Sequence, residues 1–173
     1  MNVQRIVLLA VCIAIVAALV SSVPVPIAAT GGFTHPGAIV EIFIALAFGP
    51  IVGGIAAGVG AAIADLALGY GSFAPMTLVA HGLLGYMAGY IGWKQELPKM
   101  VMGWVVGGLA LVGVYFLGGA TLYGFGFAGA AAEVPINLFQ VGLGILGLGL
   151  YRLVKAAYPQ LEELAGETTF QER

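Results

Sequence analysis

The sequence predicts an all-α integral membrane protein, a bundle of six transmembrane helices, and three observations carry that prediction. The first is composition. The 173 residues are 61% hydrophobic and 8% charged, with a mean hydropathy of +1.05, whereas an ordinary soluble domain is about 25% charged. No soluble core of this size could bury so much apolar surface. The second is segmentation. Proline, glycine and charge signals divide the apolar runs into segments at about 5–23, 36–48, 50–69, 75–93, 99–118 and 131–155. The third is the placement of the basic residues. With six spans, all six Lys and Arg residues (Arg5, Lys94, Lys99, Arg152, Lys155 and Arg173) fall on one side of the membrane. By the positive-inside rule that side is the cytoplasm, which puts both termini there, in the cell membrane. A miscount by one span would split them. The net charge is −2 and there is no basic cluster, so no nucleic-acid partner is expected.

Span 1 follows Arg5 and mimics a signal peptide, but its apolar run from Ile6 to Val23 is about 18 residues, long enough to cross a bilayer. It is read as a retained helix. Cys12 lies inside it as a small packing residue. Span 2 is short and closes at Gly49-Pro50, a sharp turn. Spans 3 and 4 are rich in Gly and Ala and joined by a tight connection, as antiparallel neighbours are. Residues 1–158 form the transmembrane domain; residues 159–173 are read as a polar cytoplasmic tail, a short helix that frays.

The polar residues inside these spans lie toward the outer side. They are Glu41 on span 2, Asp65 near the end of span 3, Thr77 and His81 at i, i+4 on span 4, and Glu133, Asn137 and Gln140 on one face of span 6. Each charge within a span costs about 2.5–3.5 kcal/mol on insertion scales, so a cluster at similar depth implies a site. The outer connections carry aromatics, among them Phe33, Tyr123 and Phe125. These suit either interfacial anchoring or folding over a flat ligand, with flanking glycines supplying close approach. Structural roles stay open residue by residue: Asp65 as a turn cap, His81, Asn137 and Gln140 as helix–helix glue, Glu133 as a helix N-terminal acid. The set holds carboxylates, an imidazole, amides and rings, but no Lys or Arg. It suits a neutral or cationic heterocycle that donates hydrogen bonds.

On span 1, Ala10, Ala14 and Ala18 repeat every four residues, a stripe that lets another helix approach closely, within the chain or from a partner.

These features together, the six spans, the alanine stripe, the block FGPIVGGIAAGVGAAIADLALGYGSFAPMTLVAHGLLGYMAGYIG and the segment EVPINLFQVGLG, resemble the substrate-binding S components of energy-coupling-factor (ECF) vitamin transporters. The nearest subgroup serves riboflavin and the thiamine precursor hydroxymethylpyrimidine. The resemblance implies a subunit that binds a micronutrient at the outer face under a lid formed by the loop after span 1. It implies docking through Ala10, Ala14 and Ala18 onto a T component, with two ATPases driving the cycle. No GxxxxGK[ST] loop is present, so the chain does not itself hydrolyse ATP, and no enzymatic activity or cofactor is expected. Among substrates, hydroxymethylpyrimidine or thiamine suits the acid-rich set best, with riboflavin next. Two further readings stand beside this one: a metal-uptake subunit using His35, His81, Glu41 and Asp65, and a proton-coupled carrier using Glu41 or Glu133. The first lacks metal-ligand spacing and the second lacks an internal repeat.

Overall fold

The computed structural model describes residues 3–28 and 30–165. The elements in chain order are α1 (Val3–Ser22), β1 (Val25–Ile27), β2 (Gly32–Thr34), α2 (Ala38–Leu68), α3 (Ala74–Gly92), α4 (Leu97–Thr121), α5 (Gly126–Gly142), α6 (Gly144–Ala157) and a 3₁₀ segment, Pro159–Ala165. Four helical stretches are long and apolar enough to cross a membrane: α1, α2, α4 and the run Gly126–Ala157.

Helix α2 is two arms rather than one rod. At Gly49 the backbone takes φ 85°, ψ −179°, and Pro50 starts a new arm. Glycine reaches this conformation without the Cβ clash that other residues meet, and proline suits the first turn of a helix. The chain doubles back here. A Cβ on Gly53 would lie 2.7 Å from Ala45 Cα, yet in a straight helix residues eight apart are separated by about 12 Å. The buried Trp93 ring packs over the turn, 3.1 Å from where a Gly49 Cβ would sit. Six membrane segments result: α1, the two arms of α2, α3, α4 and α5–α6 together. The last is longer than the expected 131–155 and is stepped at Leu143, where α5 hands over to α6.

The returning arm of α2 and α3 touch through bare backbone. A Cβ on Gly85 would lie 2.3 Å from the Gly53 carbonyl oxygen, and one on Gly58 would lie 2.6 Å from that of Leu78. Lipid is as apolar as leucine, so helices in a bilayer associate by close packing, which small residues permit. The same device recurs where Gly60 receives Val16 of α1 and where Gly107 meets Leu84 across α3 and α4. Gly147 of α6 lies against Ile39 of the first α2 arm. Helix α1 turns Cys12, Val16 and Val20 inward, while Ala10, Ala14 and Ala18 all lie on its exposed side.

The described basic residues gather at one end of the bundle. Arg5 lines a groove with Glu163 and Leu164, and Arg152 lines one with Leu97 and Val101 at the start of α4, just after Lys94. Arg173 lies outside the described residues. At this end residues 159–165 fold back under the bundle instead of trailing from it. Leu161 is 5% exposed, and the Glu162 carboxylate accepts from Tyr151 Oη and, at 2.6 Å, from Lys155 Nζ. The rest of the tail, 166–173, lies outside the described residues.

The seam makes a measurable prediction. Gly85→Leu should force α2 and α3 apart and cost about 1–3 kcal/mol, visible as a lowered thermal midpoint in detergent. A midpoint equal to that of the unaltered protein would show that the two helices can part without loss.

Candidate ligand pocket at the end opposite the basic residues

The segment between α1 and α2 is a short hairpin. Strands β1 and β2 pair antiparallel, with Val25 opposite Thr34 and Ile27 opposite Gly32. It lies across the end of the bundle and closes a cavity lined by Ile27, Gly32, Phe33 and His35 from above. From the helices come Asp65 (α2), Thr77 (α3), Tyr115 (α4) and Glu133, Asn137 and Gln140 (α5), with Phe73 from the α2–α3 turn. The enclosed volume is about 20 Å³, near that of one water molecule. The cavity in this conformation has no room for a molecule much larger than water.

The polar groups form two layers rather than the single depth expected from the sequence. Glu41 lies about 12 Å along its arm from Gly49, and Asp65 about 24 Å along the other. The deeper layer is buried and mutually paired. Glu41 Oε1 and Oε2 accept from His81 Nδ1 at 2.8 and 2.9 Å, and His81 Nε2 faces the Gln140 amide nitrogen at 3.4 Å. The upper layer faces the cavity. Asp65 is buried with Oδ2 lacking a hydrogen-bond partner, and Thr77 Oγ1 bonds the Tyr115 hydroxyl at 3.0 Å. The Glu133 carboxylate accepts from the Thr30 hydroxyl of the hairpin.

The hairpin is fastened a second time by Gln140. Its Oε1 accepts from Thr34 Oγ1 at 2.6 Å and from the His35 backbone N–H at 3.3 Å. His35 Nδ1 in turn accepts the Gly37 N–H at 3.1 Å, and the His35 ring lies 5.1 Å from that of His81. Burial holds the His35 imidazole well below its ordinary titration range, so it is neutral at physiological pH.

The expected site residues therefore separate by position. Asp65, Thr77, Glu133, Asn137, Gln140 and Phe33 line the cavity. Glu41 and His81 lie beneath it, behind Gln140. Tyr123 and Phe125 lie one ring further out, stacked on Phe73 at 5.7 and 6.1 Å between centroids. Phe33 packs on Tyr70 at 4.5 Å. Three contributors escaped the sequence reading. Tyr115 was the legible one, a hydroxyl-bearing ring in an otherwise apolar span; Thr30 and Thr34 matter only once the hairpin pairing is known. Among the described residues no three His, Cys, Asp or Glu side chains gather as a metal site.

The comparisons with known proteins follow the same outline. Residues 1–156 match the family model for the S component of ECF-type riboflavin transporters. The chain belongs to this family. Its function is accordingly that of a membrane-embedded, substrate-binding S component of a vitamin-type transporter. Over 144 residues it is 40% identical to an uncharacterized protein in the gap 3′ region of Pyrococcus woesei, covering 81% of this chain and 95% of that one. It is 29% identical over 162 residues to the thiamine precursor transporter HmpT of Lactococcus lactis subsp. cremoris, covering 93% and 89% of the two chains. The fold matches that of a bacterial ECF transporter S component with a TM-score of 0.71 at 18% identity, over 89% of this S component and 96% of the other.

The hairpin fastening can be tested alone. Thr30→Val removes a hydrogen bond to a carboxylate worth about 1.5–3 kcal/mol. Amide exchange across residues 30–34 should speed up at least about tenfold. Unchanged protection would mean that Gln140 alone holds the hairpin down.

Proposed function

We propose that this S component captures a small hydrogen-bond-donating heterocycle, hydroxymethylpyrimidine or a thiamine-like relative, in the cavity beneath the hairpin. The observation that carries this reading is the pair of carboxylates on the cavity wall. Asp65 Oδ2 is buried without a partner, Glu133 stands on the facing helix, and among the described residues no Lys or Arg lines the space. A ring amino group or protonated ring nitrogen satisfies such oxygens, whereas a phosphate or carboxylate ligand would meet two carboxylates and no cationic partner. Phe33 and Phe73 supply faces for a flat ring. The likeness to a thiamine precursor transporter supports the same substrate class. Riboflavin is the second reading, favoured by the family model.

In this reading the chain works with a T component and two ATPase subunits, and the basic end faces the cytoplasm. The exposed stripe Ala10, Ala14 and Ala18 is the surface offered to the T component, since the inward side of α1 is already filled by Cys12, Val16 and Val20.

Calorimetric titration with hydroxymethylpyrimidine, thiamine and riboflavin separates the substrates. Glu133→Gln and Asp65→Asn should each weaken binding of the preferred ligand at least tenfold, about 1.4 kcal/mol. Equal affinity in both variants would remove the carboxylates from recognition. Ala14→Trp should abolish co-purification with a T component while leaving the titration unaltered. Loss of ligand binding as well would make the stripe a packing seam of the chain itself.

A further inference from the structure

Gln140 stands at a junction. One end of its amide holds the hairpin and the other meets His81. The His35 backbone N–H can only donate, so the atom facing it at 3.3 Å must be the amide oxygen, which also receives the Thr34 hydroxyl. That orientation points the amide NH₂ at His81 Nε2, 3.4 Å away, and requires Nε2 to be an acceptor. His81 can meet the requirement only as the neutral tautomer protonated at Nδ1. Glu41 selects that tautomer, because both of its oxygens lie within 2.9 Å of Nδ1. Neither Glu41 nor His81 borders the cavity. Their hydrogen-bonded connection to the cavity runs through Gln140.

We propose that Glu41 and His81 are positioning residues for the hairpin: they set the Gln140 amide in the orientation that holds Thr34 and His35, and protonation of His81 at Nε2 releases the hairpin. The proton account is simple. Protonated Nε2 becomes a donor and faces another donor, the Gln140 NH₂. Relief comes by rotating the amide so that Oε1 accepts from Nε2–H. The same rotation turns NH₂ toward the His35 N–H and removes the acceptor from the Thr34 hydroxyl. One proton is taken up as the hairpin opens, so acid favours the open form.

Titratable and polar groups face His81 from every element packed against it. Glu41 faces it from the first arm of α2, and Asp65 stands near it on the second. His35 lies 5.1 Å away on the hairpin side and is itself neutral. Tyr115 of α4 approaches edge-on at 6.1 Å, and from α5 come the Gln140 amide and, further out, Glu133. The proposal holds whatever the ligand is, and its test needs none. Its failure and that of the substrate reading are thus separate.

The test is hydrogen–deuterium exchange of the full chain in nanodiscs, without ligand, between about pH 8 and pH 5, where histidine titrates. Rates for residues 30–37 are divided by their intrinsic values at each pH. Protection should fall as pH falls, by up to about tenfold per pH unit, the limit for one proton taken up on opening. In His81→Gln the fall should vanish. Gln140→Glu offers an acceptor to both the hairpin and the protonated ring, so it should keep its protection in acid. Protection independent of pH in the unaltered protein would overturn the proposal. So would an undiminished fall in His81→Gln, which would assign the effect to Glu133 acting through Thr30. Should either variant fail to fold, ¹⁵N-histidine spectra of the unaltered protein decide: the Nδ1–H tautomer at neutral pH supports the proposal, and the Nε2–H tautomer overturns it.

Discussion

The contact of bare backbones between the returning arm of α2 and α3 is the constraint on which the rest of the structure depends. A bilayer offers no hydrophobic gain for bringing apolar helices together, so what remains is the number of atoms that can touch. Gly53, Gly58 and Gly85 remove every obstacle to that touch. The seam then fixes which rungs of the two helices stand side by side. Thr77 and His81, one turn apart on α3, come to lie over Asp65 and Glu41 on the two arms of α2. With larger residues in the seam the polar groups would still exist, but their geometry would not.

Two kinds of polar burial follow, and they serve different ends. In the lower set Glu41, His81 and Gln140 answer one another in turn, and Gln140 passes the chain on to the hairpin. Such a network tolerates the membrane interior because little of its hydrogen-bonding capacity is left over. The upper set is incomplete by comparison. Asp65 keeps an unanswered oxygen in the cavity, and Glu133 is answered by a hairpin hydroxyl. An unanswered buried acceptor costs about 1–3 kcal/mol, and a donating ligand recovers that cost. The unsatisfied acceptor thus lies in the layer that faces the cavity, and the mutually paired groups lie in the layer beneath.

Much of this was legible from the residues. The bilayer imposes a length and an apolar composition on each span, so the six segments and the turn at Gly49-Pro50 could be placed directly. Helical spacing put Glu133, Asn137 and Gln140 on one face, and they share one. The spacing of Ala10, Ala14 and Ala18 was legible from the same periodicity, whereas their position on the exposed side of α1 came from the structure. What escaped depends on long-range pairing. Nothing local says that Thr30 meets Glu133 or that Thr34 meets Gln140, more than a hundred residues away. The single polar depth became two layers because the arms of α2 run unequal distances from Gly49. The tail read as fraying through its polarity, yet Leu161 alone supplies an anchor in the core.

The reversal inside α2 also restricts how this protein can vary. Its two acids, Glu41 and Asp65, ride on opposite arms of one uninterrupted stretch whose only joint is Gly49. Adding or deleting one residue in either arm would swing that arm's acid by about 100° around the helix axis. The acid would then face lipid, or a neighbour with no matching group. No loop within the arms can absorb the change. The turn at Gly69–Phe73 and the connection between α4 and α5 can lengthen or shorten without disturbing either acid, but α2 cannot. Among relatives with the same site, the residue count from the first acid to the second should be the most strictly kept interval in the chain.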